Sequence, residues 1–206
     1  MKILIATHNP SKFERYKRIL EIIDFLEPVS LADLGITEKV EENYATNVEN
    51  ALHKARTYGK LSGMITVAVD EALMTNFLPD NEQPGVYARR FAKDKKEQTD
   101  EELIEIWKEI FKAYSQEDKK FIWNFAVAFY NPKNDSEGVE CVEEISHVAK
   151  YFSPIKSNGY PMSTFLSFSL NGIPYIEMSQ KEKDHKDIQN FASFVDVFNR
   201  WLLSEK

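Results

Sequence analysis

The chain has 206 residues, a formal net charge of -7 and a single cysteine, Cys141. That length suits one large domain, read here as a single domain over residues 1–206, and 43% hydrophobic residues with 14 Phe and 9 Tyr supply a sizeable core. Acidity without a basic run argues against coating nucleic acid, a lone cysteine excludes an intrachain disulfide and fits a reducing, cytoplasmic compartment, and no apolar stretch is long enough to span a membrane.

Ile3-Leu4-Ile5-Ala6 is too short for a secretion leader, so none is expected, and residues 2–7 read as a buried strand. The polar elbow Thr7-His8-Asn9-Pro10-Ser11-Lys12 follows. From about Ser11 the pattern turns helical, with Phe13, Tyr16, Ile19, Leu20 and Ile23 recurring at spacings of three and four. Strand, elbow and helix together offer hydroxyl, amide and ammonium groups beside a helix N-terminus, which suits an anion such as phosphate. The glycine-rich spacing of a Walker loop is absent. A short strand falls near Pro28-Val29-Ser30, followed by the acidic stretch Glu38 to Glu42. Thr46 and Glu49 form a capping box that opens a helix running to about Leu61 and closing near Gly63. Ile65 to Val69 is a second buried strand, with Asp70-Glu71 at its C-terminal end. Residues 72–83 read as irregular, and Pro84-Gly85-Val86-Tyr87 as a turn into a short helix. Residues 99–114 are helical, with Leu103, Ile106, Trp107, Ile110 and Phe111 as the apolar face. Phe121 to Tyr130 and residues 139–150 pair as an antiparallel hairpin around the loop Asn131 to Asp135. Residues 151–180 are broken by proline and glycine, with a short strand around Ile176. The last helix runs from about Lys186 to Leu203, with Ile188, Phe191, Val195, Phe198 and Leu202 as its stripe. These elements predict an α/β fold with a mixed sheet and flanking helices.

Two acidic places carry chemistry. Asp70 ends a buried strand, where open α/β sheets place their ligand sites, and Glu41-Glu42 precede the capped helix. Carboxylates brought together from separate segments suit Mg²⁺, which takes few protein oxygens and completes its shell with water and phosphate. Lys12 and Lys54 add ammonium partners, giving a metal-and-lysine cradle for a polyphosphate. Each acid taken alone is equally a solvated loop carboxylate. His8 sits in the elbow near any phosphate held there, His53 fits a helix surface, and His147 falls in the hairpin. No His/Cys cluster has zinc spacing and no Gly-x-Ser-x-Gly elbow exists. The strand Phe121 to Tyr130 has no interleaved basic residues and reads as core.

The joint spacing resembles that of the inosine/xanthosine triphosphate pyrophosphatases. Thr7-x-Asn9-x-x-Lys12 is similar to their opening motif. Glu41-Glu42, Thr46, Glu49-Asn50-Ala51 and Lys54-Ala55 follow in the same order, and Pro84-Gly85-Val86-Tyr87 with Arg90 matches a third element. The resemblance implies an elongated mixed sheet with two lobes around a central cleft, usually in a homodimer. It also implies Mg²⁺-dependent hydrolysis of non-standard purine nucleoside triphosphates to monophosphate and pyrophosphate. By position, Glu41 and Asp70 would hold the metal and Asp70 would activate water. Thr7, His8, Asn9, Lys12, Lys54 and Glu71 would lie on the triphosphate, and Gly159, Tyr160, His185 and Lys186 on the base.

The departures from that pattern cluster. Ala68-Val69-Asp70-Glu71-Ala72-Leu73 stands where the family has Ala-Asp-Asp-Ser-Gly-Leu. Asn158-Gly159-Tyr160-Pro161 replaces Phe-Gly-Tyr-Asp, and Asp184-His185-Lys186 replaces Ser-His-Arg, where lysine lacks the planar fork of arginine. The phosphate half of the pattern is thus better kept than the base-reading half. Two alternatives stand beside the enzyme: a catalytically impaired nucleotide- or phosphate-binding protein on the same fold, and an interaction module using the aromatic hairpin.

Overall fold

A computed structural model describes residues 1–88, 98–114, 117–155 and 159–205. The chain divides into two compact units. The first comprises Met1–Glu71, Phe125–Val142 and Asp184–Lys206; the second comprises Ala72–Asn124 and Glu143–Lys183. The strands are β1 (Lys2–Ile5), β2 (Glu27–Ser30), β3 (Thr66–Thr75), β4 (Lys120–Asn131), β5 (Ser136–Val148) and β6 (Leu166–Ser167). The helices are α1 (Pro10–Leu20), α2 (Asn47–Ser62), α3 (Asp100–Ala113), α4 (Gln180–Asn190) and α5 (Ala192–Ser204). One mixed six-stranded sheet has the order β2-β1-β3-β4-β5-β6. Among the described residues no helix is long and apolar enough to cross a membrane.

In the first unit β1 lies between two parallel neighbours, β2 and β3. The chain leaves β1 through α1 to reach β2 on one side, then through α2 to reach β3 on the other. That reversal of direction beside β1 is a topological switch point, and ligands of open α/β sheets bind outside the carboxyl ends of the strands there. The faces follow from the alternation of side chains along a strand. Ala126, Ala128 and Tyr130 of β4 join Leu4, Ala68, Ala51, Ala55 and Tyr58 in a core beneath α2. Small alanines on both sides let the helix sit close. Gly59 carries this furthest, because a Cβ there would lie 2.5 Å from the Tyr130 ring. Phe125 and Phe129 point the other way. Phe125 meets Phe191 at 5.4 Å between ring centres, Tyr16 of α1 meets the same ring at 5.4 Å, and Phe129 meets Phe198 at 5.3 Å.

The second unit is built on aromatic rings. Trp107 of α3 is fully buried and lies 4.8 Å from Phe121 and 6.3 Å from Phe165. Thr99 caps α3 with a complete capping box to Glu102.

Four expectations are corrected. β3 does not end at Asp70-Glu71 but runs to Thr75, and Leu73 bridges back to Gly85, so residues 72–75 are strand. Around Ile176 the chain makes a 3-10 turn, not a strand, because Glu177 and Met178 donate to the Pro174 and Tyr175 carbonyls. The last helix begins at Gln180, and the backbone breaks at Phe191, giving two helices. That break moves the stripe, so Ile188 is exposed while Phe194 is buried. The short helix expected after Tyr87, with Arg90, lies outside the described residues, as does Asn158.

Candidate functional site

The elbow after β1 is ordered by its own side chains. Asn9 is the N-cap of α1, and its Oδ1 accepts from the Ser11 amide at 2.9 Å and the Lys12 amide at 3.4 Å. The Asn9 amide donates to Thr7 Oγ1 at 3.1 Å, and Pro10 has no N–H to offer. The helix donors expected to meet an anion are thus already engaged, so anion binding here rests on side chains, foremost Lys12. His8 Nε2 lies 2.9 Å from the Glu38 carbonyl, to which it donates, and 3.2 Å from the Tyr58 hydroxyl. Thr7, His8, Pro10 and Phe13 also line an open cleft of about 560 Å³ with Ser30 and Ile36.

α2 presents Asn50, Lys54 and Tyr58 at spacings of four, so they share one stripe. Thr46 caps the helix by accepting from the Glu49 amide at 3.2 Å, and Gly63 ends it in the left-handed region at φ 69°. The upper part of the stripe engages β3. Asn50 Nδ2 donates to Asp70 Oδ2 at 3.1 Å, while Lys54 Nζ donates to the Val69 carbonyl at 2.7 Å and lies 3.4 Å from Asp70 Oδ1. The same stripe fixes the acidic loop. Asn50 Oδ1 accepts from the Tyr44 amide at 3.1 Å, and the Tyr58 hydroxyl donates to the Glu38 carbonyl at 2.8 Å. These contacts bring Glu42 to Lys54, at 3.1 Å.

Strand alternation explains the next pair. Asp70 turns toward α2, and Glu71, its neighbour, turns toward α1, where it meets Lys12 Nζ at 3.1 Å. The site thus holds the carboxylates of Glu42, Asp70 and Glu71 interleaved with the ammonium groups of Lys12 and Lys54. Burial raises the Asp70 carboxyl, the nearby Lys54 opposes it, and the hydrogen-bonded Glu42 carboxylate raises it further, to about 6. Glu42 is pushed up by burial but pulled down more strongly by Lys54 and by its hydrogen bond to Asp70, and ends below the usual range. Burial lowers the Lys12 ammonium, but Glu71 and, beyond it, Asp70 and Glu42 raise it overall.

The site residues expected from sequence sort as follows. Thr7, His8, Asn9, Lys12, Lys54, Asp70 and Glu71 belong to the first unit, on the elbow, the α2 stripe and β3. Glu41 is exposed and accepts from Asn43 Nδ2 at 2.8 Å, whereas its neighbour Glu42 reaches Lys54 and Asp70. His185 and Lys186 lie within α4, which is fastened to α1 on either side of them. Arg18 pairs with Asp184 at 2.7 Å, and Arg15 with the buried Asp187 at 2.8 Å. Gly159 and Tyr160 belong to the second unit, where the Gly159 amide donates to Asp100 at 2.8 Å and Tyr160 packs edge-on against Tyr175. Asn50 and Tyr58 were given no role from sequence, and of the acidic pair Glu41-Glu42 only Glu41 was expected to hold the metal. The spacing of four from Lys54 was the available signal for the first two.

Two acid side chains close enough to share a hydrogen bond form, once both are ionised, a hard-oxygen donor pair that fits a magnesium ion. Among the described residues no group of three His, Cys, Asp or Glu side chains is placed to hold a metal. A cation here would draw its remaining ligands from water and phosphate.

Comparison with known proteins identifies the family. A family model described as the Ham1 family matches residues 3–189. The chain belongs to the Ham1 family. A Bacillus subtilis relative, named dITP/XTP pyrophosphatase, is 33% identical over 150 residues, which is 73% of this chain and 71% of that one. A Thermoanaerobacter protein of the same name is 48% identical over 92 residues, 45% of each, so the chain spans under half the length of that relative. A HAM1 protein from Coxiella burnetii superposes with TM-score 0.74 at 23% identity, covering 97% of this chain and 99% of that one, and supports the fold. A nucleoside-triphosphatase / dITP/XTP pyrophosphatase from Mycobacterium abscessus superposes with TM-score 0.63 at 25% identity, covering 93% and 95%.

Proposed function

We propose that the chain is a Mg²⁺-dependent nucleoside triphosphate pyrophosphatase acting on non-standard purine nucleoside triphosphates. The observation that carries this reading is the convergence of Lys54, Asp70 and Glu42 beside the Lys12–Glu71 pair at the switch point of the sheet. Relatives named for dITP and XTP support the same substrate class. Lys12 and Lys54 bind the phosphate oxygens, and Thr7 and Asn9 border them. Asp70, oriented by Asn50 and Lys54, removes the proton of a water attacking the α-phosphorus. The bond from that phosphorus to the bridging oxygen breaks, and pyrophosphate leaves. A carboxyl titrating at about 6 is a stronger base than an ordinary aspartate and is still ionised at neutral pH. Glu42 and Asp70 are the residues that would hold magnesium, with Glu41 next in the loop; the ion would neutralise phosphate charge. Gly159, Tyr160, His185 and Lys186 remain the proposed base-contacting set. We further infer a single domain that acts as a homodimer in the cytoplasm without nucleic acid or membrane partners, consistent with the net charge of -7.

The test is a nucleotide-panel assay of pyrophosphate release with Mg²⁺ and Mn²⁺. Turnover of dITP or XTP that disappears in Asp70→Asn is the expected result, and no turnover of any nucleotide overturns the enzymatic reading. Tight binding without hydrolysis would select the second reading, a nucleotide-binding protein. The observation that favours that second reading is the Glu71 carboxylate resting on Lys12.

A further inference from the structure

Glu71 takes the partner position on Lys12 that the proposed phosphate would need. Its carboxylate lies 3.1 Å from Lys12 Nζ, and its side chain is only 19% exposed. On the other face of the same strand Lys54 is held between Glu42, at 3.1 Å, and Asp70, at 3.4 Å. Both ammonium groups of the cradle therefore already have internal carboxylate partners, and three acids face two lysines. A phosphate arriving at Lys12 exchanges one anion for another, and it leaves Glu71 partly buried beside a like charge.

We propose that Glu71 is a selectivity latch: it competes with phosphate for Lys12, admits polyphosphates that engage Lys54 at the same time, and expels shorter phosphates. This rests on the reading of Lys12 as a phosphate partner given above. The exchange sets the order of affinities. A triphosphate reaches more than one cation and gains enough contacts to displace the carboxylate. Pyrophosphate or orthophosphate at Lys12 gains fewer, so the Glu71–Lys12 pair re-forms and the short anion departs. Glu71 thereby discriminates by chain length and speeds release of the pyrophosphate product. A serine at this position, as in the pattern the sequence resembles, has no charge with which to compete.

The test is calorimetric titration of inorganic orthophosphate, pyrophosphate and triphosphate, in magnesium buffer, into the wild type, Glu71→Gln, Glu71→Ser and Lys12→Met. Removing the competing charge tightens pyrophosphate binding about tenfold in both Glu71 variants, the scale of relieving one partly buried like-charge contact, and tightens triphosphate less. Gln preserves the shape and Ser does not, so a shared gain assigns the effect to charge. Unchanged pyrophosphate affinity in both Glu71 variants, with triphosphate binding weakened in Lys12→Met, overturns the latch and leaves the phosphate reading intact. Undiminished triphosphate binding in Lys12→Met overturns the phosphate role of Lys12, and the latch with it.

Discussion

In the second unit Trp107 is enclosed by Phe77, Phe121 and Phe165, at ring separations from 4.8 to 6.4 Å. In the first unit Lys54 and Asp70 are each only 7% exposed, yet they carry charge. The aromatic region tolerates burial because nothing in it is ionised, and its stability comes from area and packing. The charged region tolerates it because each group is answered: Lys54 by Val69, Asp70 and Glu42, and Asp70 by Asn50. Removing a ring leaves a hole, whereas removing the Asp70 charge relieves a carboxylate whose ionisation burial and Glu42 oppose. The two regions should therefore fail differently when altered.

The largest effect is expected at the charged region, and on activity. Asp70→Asn keeps the shape and the Asn50 contact but removes the proposed base, and should lower kcat for pyrophosphate release by about 10³-fold. Circular dichroism should show the fold retained. A variant that keeps most of its turnover would place the base elsewhere. In the aromatic region Trp107→Ala should cost about 3–5 kcal/mol in urea unfolding, because Phe77, Phe121 and Phe165 cannot close over the cavity. A loss under 1 kcal/mol would show that the rings repack freely.

How much of this was legible beforehand differs between the regions for physical reasons. The apolar face of α3 was readable, since a 3.6-residue period defines it locally. So was α2, from Thr46 and Gly63. The pairing of Lys12 with Glu71 was not, because adjacent acids at the expected end of a strand give no sign that the strand continues. Once β3 runs to Thr75, alternation sends Asp70 and Glu71 to opposite faces. Which of Glu41 and Glu42 turns inward depends on an irregular loop fixed by Asn50 and Tyr58 from another element. The start of α4 has a signal in the sequence, Ser179 three residues before Glu182. Ser179 and Glu182 form a reciprocal capping box, with Ser179 N to Glu182 at 2.9 Å and Glu182 N to Ser179 at 3.3 Å. The break at Phe191 has no comparable local signal.

A pH series sharpens the contrast further. In the folded chain Asp70 holds its proton up to about 6, against an ordinary 3.8. Between those values the folded state binds a proton that the unfolded state has released. Stability contributed by Asp70 therefore falls as pH rises from about 4 to about 6, and stays lower above. Two pKa units correspond to about 3 kcal/mol at most. In EDTA, Asp70→Asn should match the wild type near pH 4 and exceed it by about 2–3 kcal/mol at pH 8. A gap that does not change with pH would mean that Asp70 titrates like a solvated carboxylate, and its burial would then be uncompensated by function. The aromatic variant Trp107→Ala should show no such pH-dependent gap, since no ionised group is lost.

The smallest expected effects come from the two helix caps, which separate stability from function. Thr99 caps α3 in the second unit, and Thr46 caps α2 in the first. Each hydroxyl accepts from an amide three residues on, at 3.2 Å in both cases, so Thr→Ala at either position should cost about 1 kcal/mol. Their consequences then part. The Asn50 amide donates to the Thr46 carbonyl at the start of α2, and Asn50 carries both the Asp70 contact and the Tyr44 loop. Fraying the first turn of α2 loosens that bridge, and KM should rise about twofold in Thr46→Ala, the cost of a slightly misplaced binding group. Thr99→Ala should leave KM where it was. Equal KM values in the two variants would show that α2 holds Asn50 in place through its packing on β3 and β4 alone, and that the cap serves the helix without reaching the site.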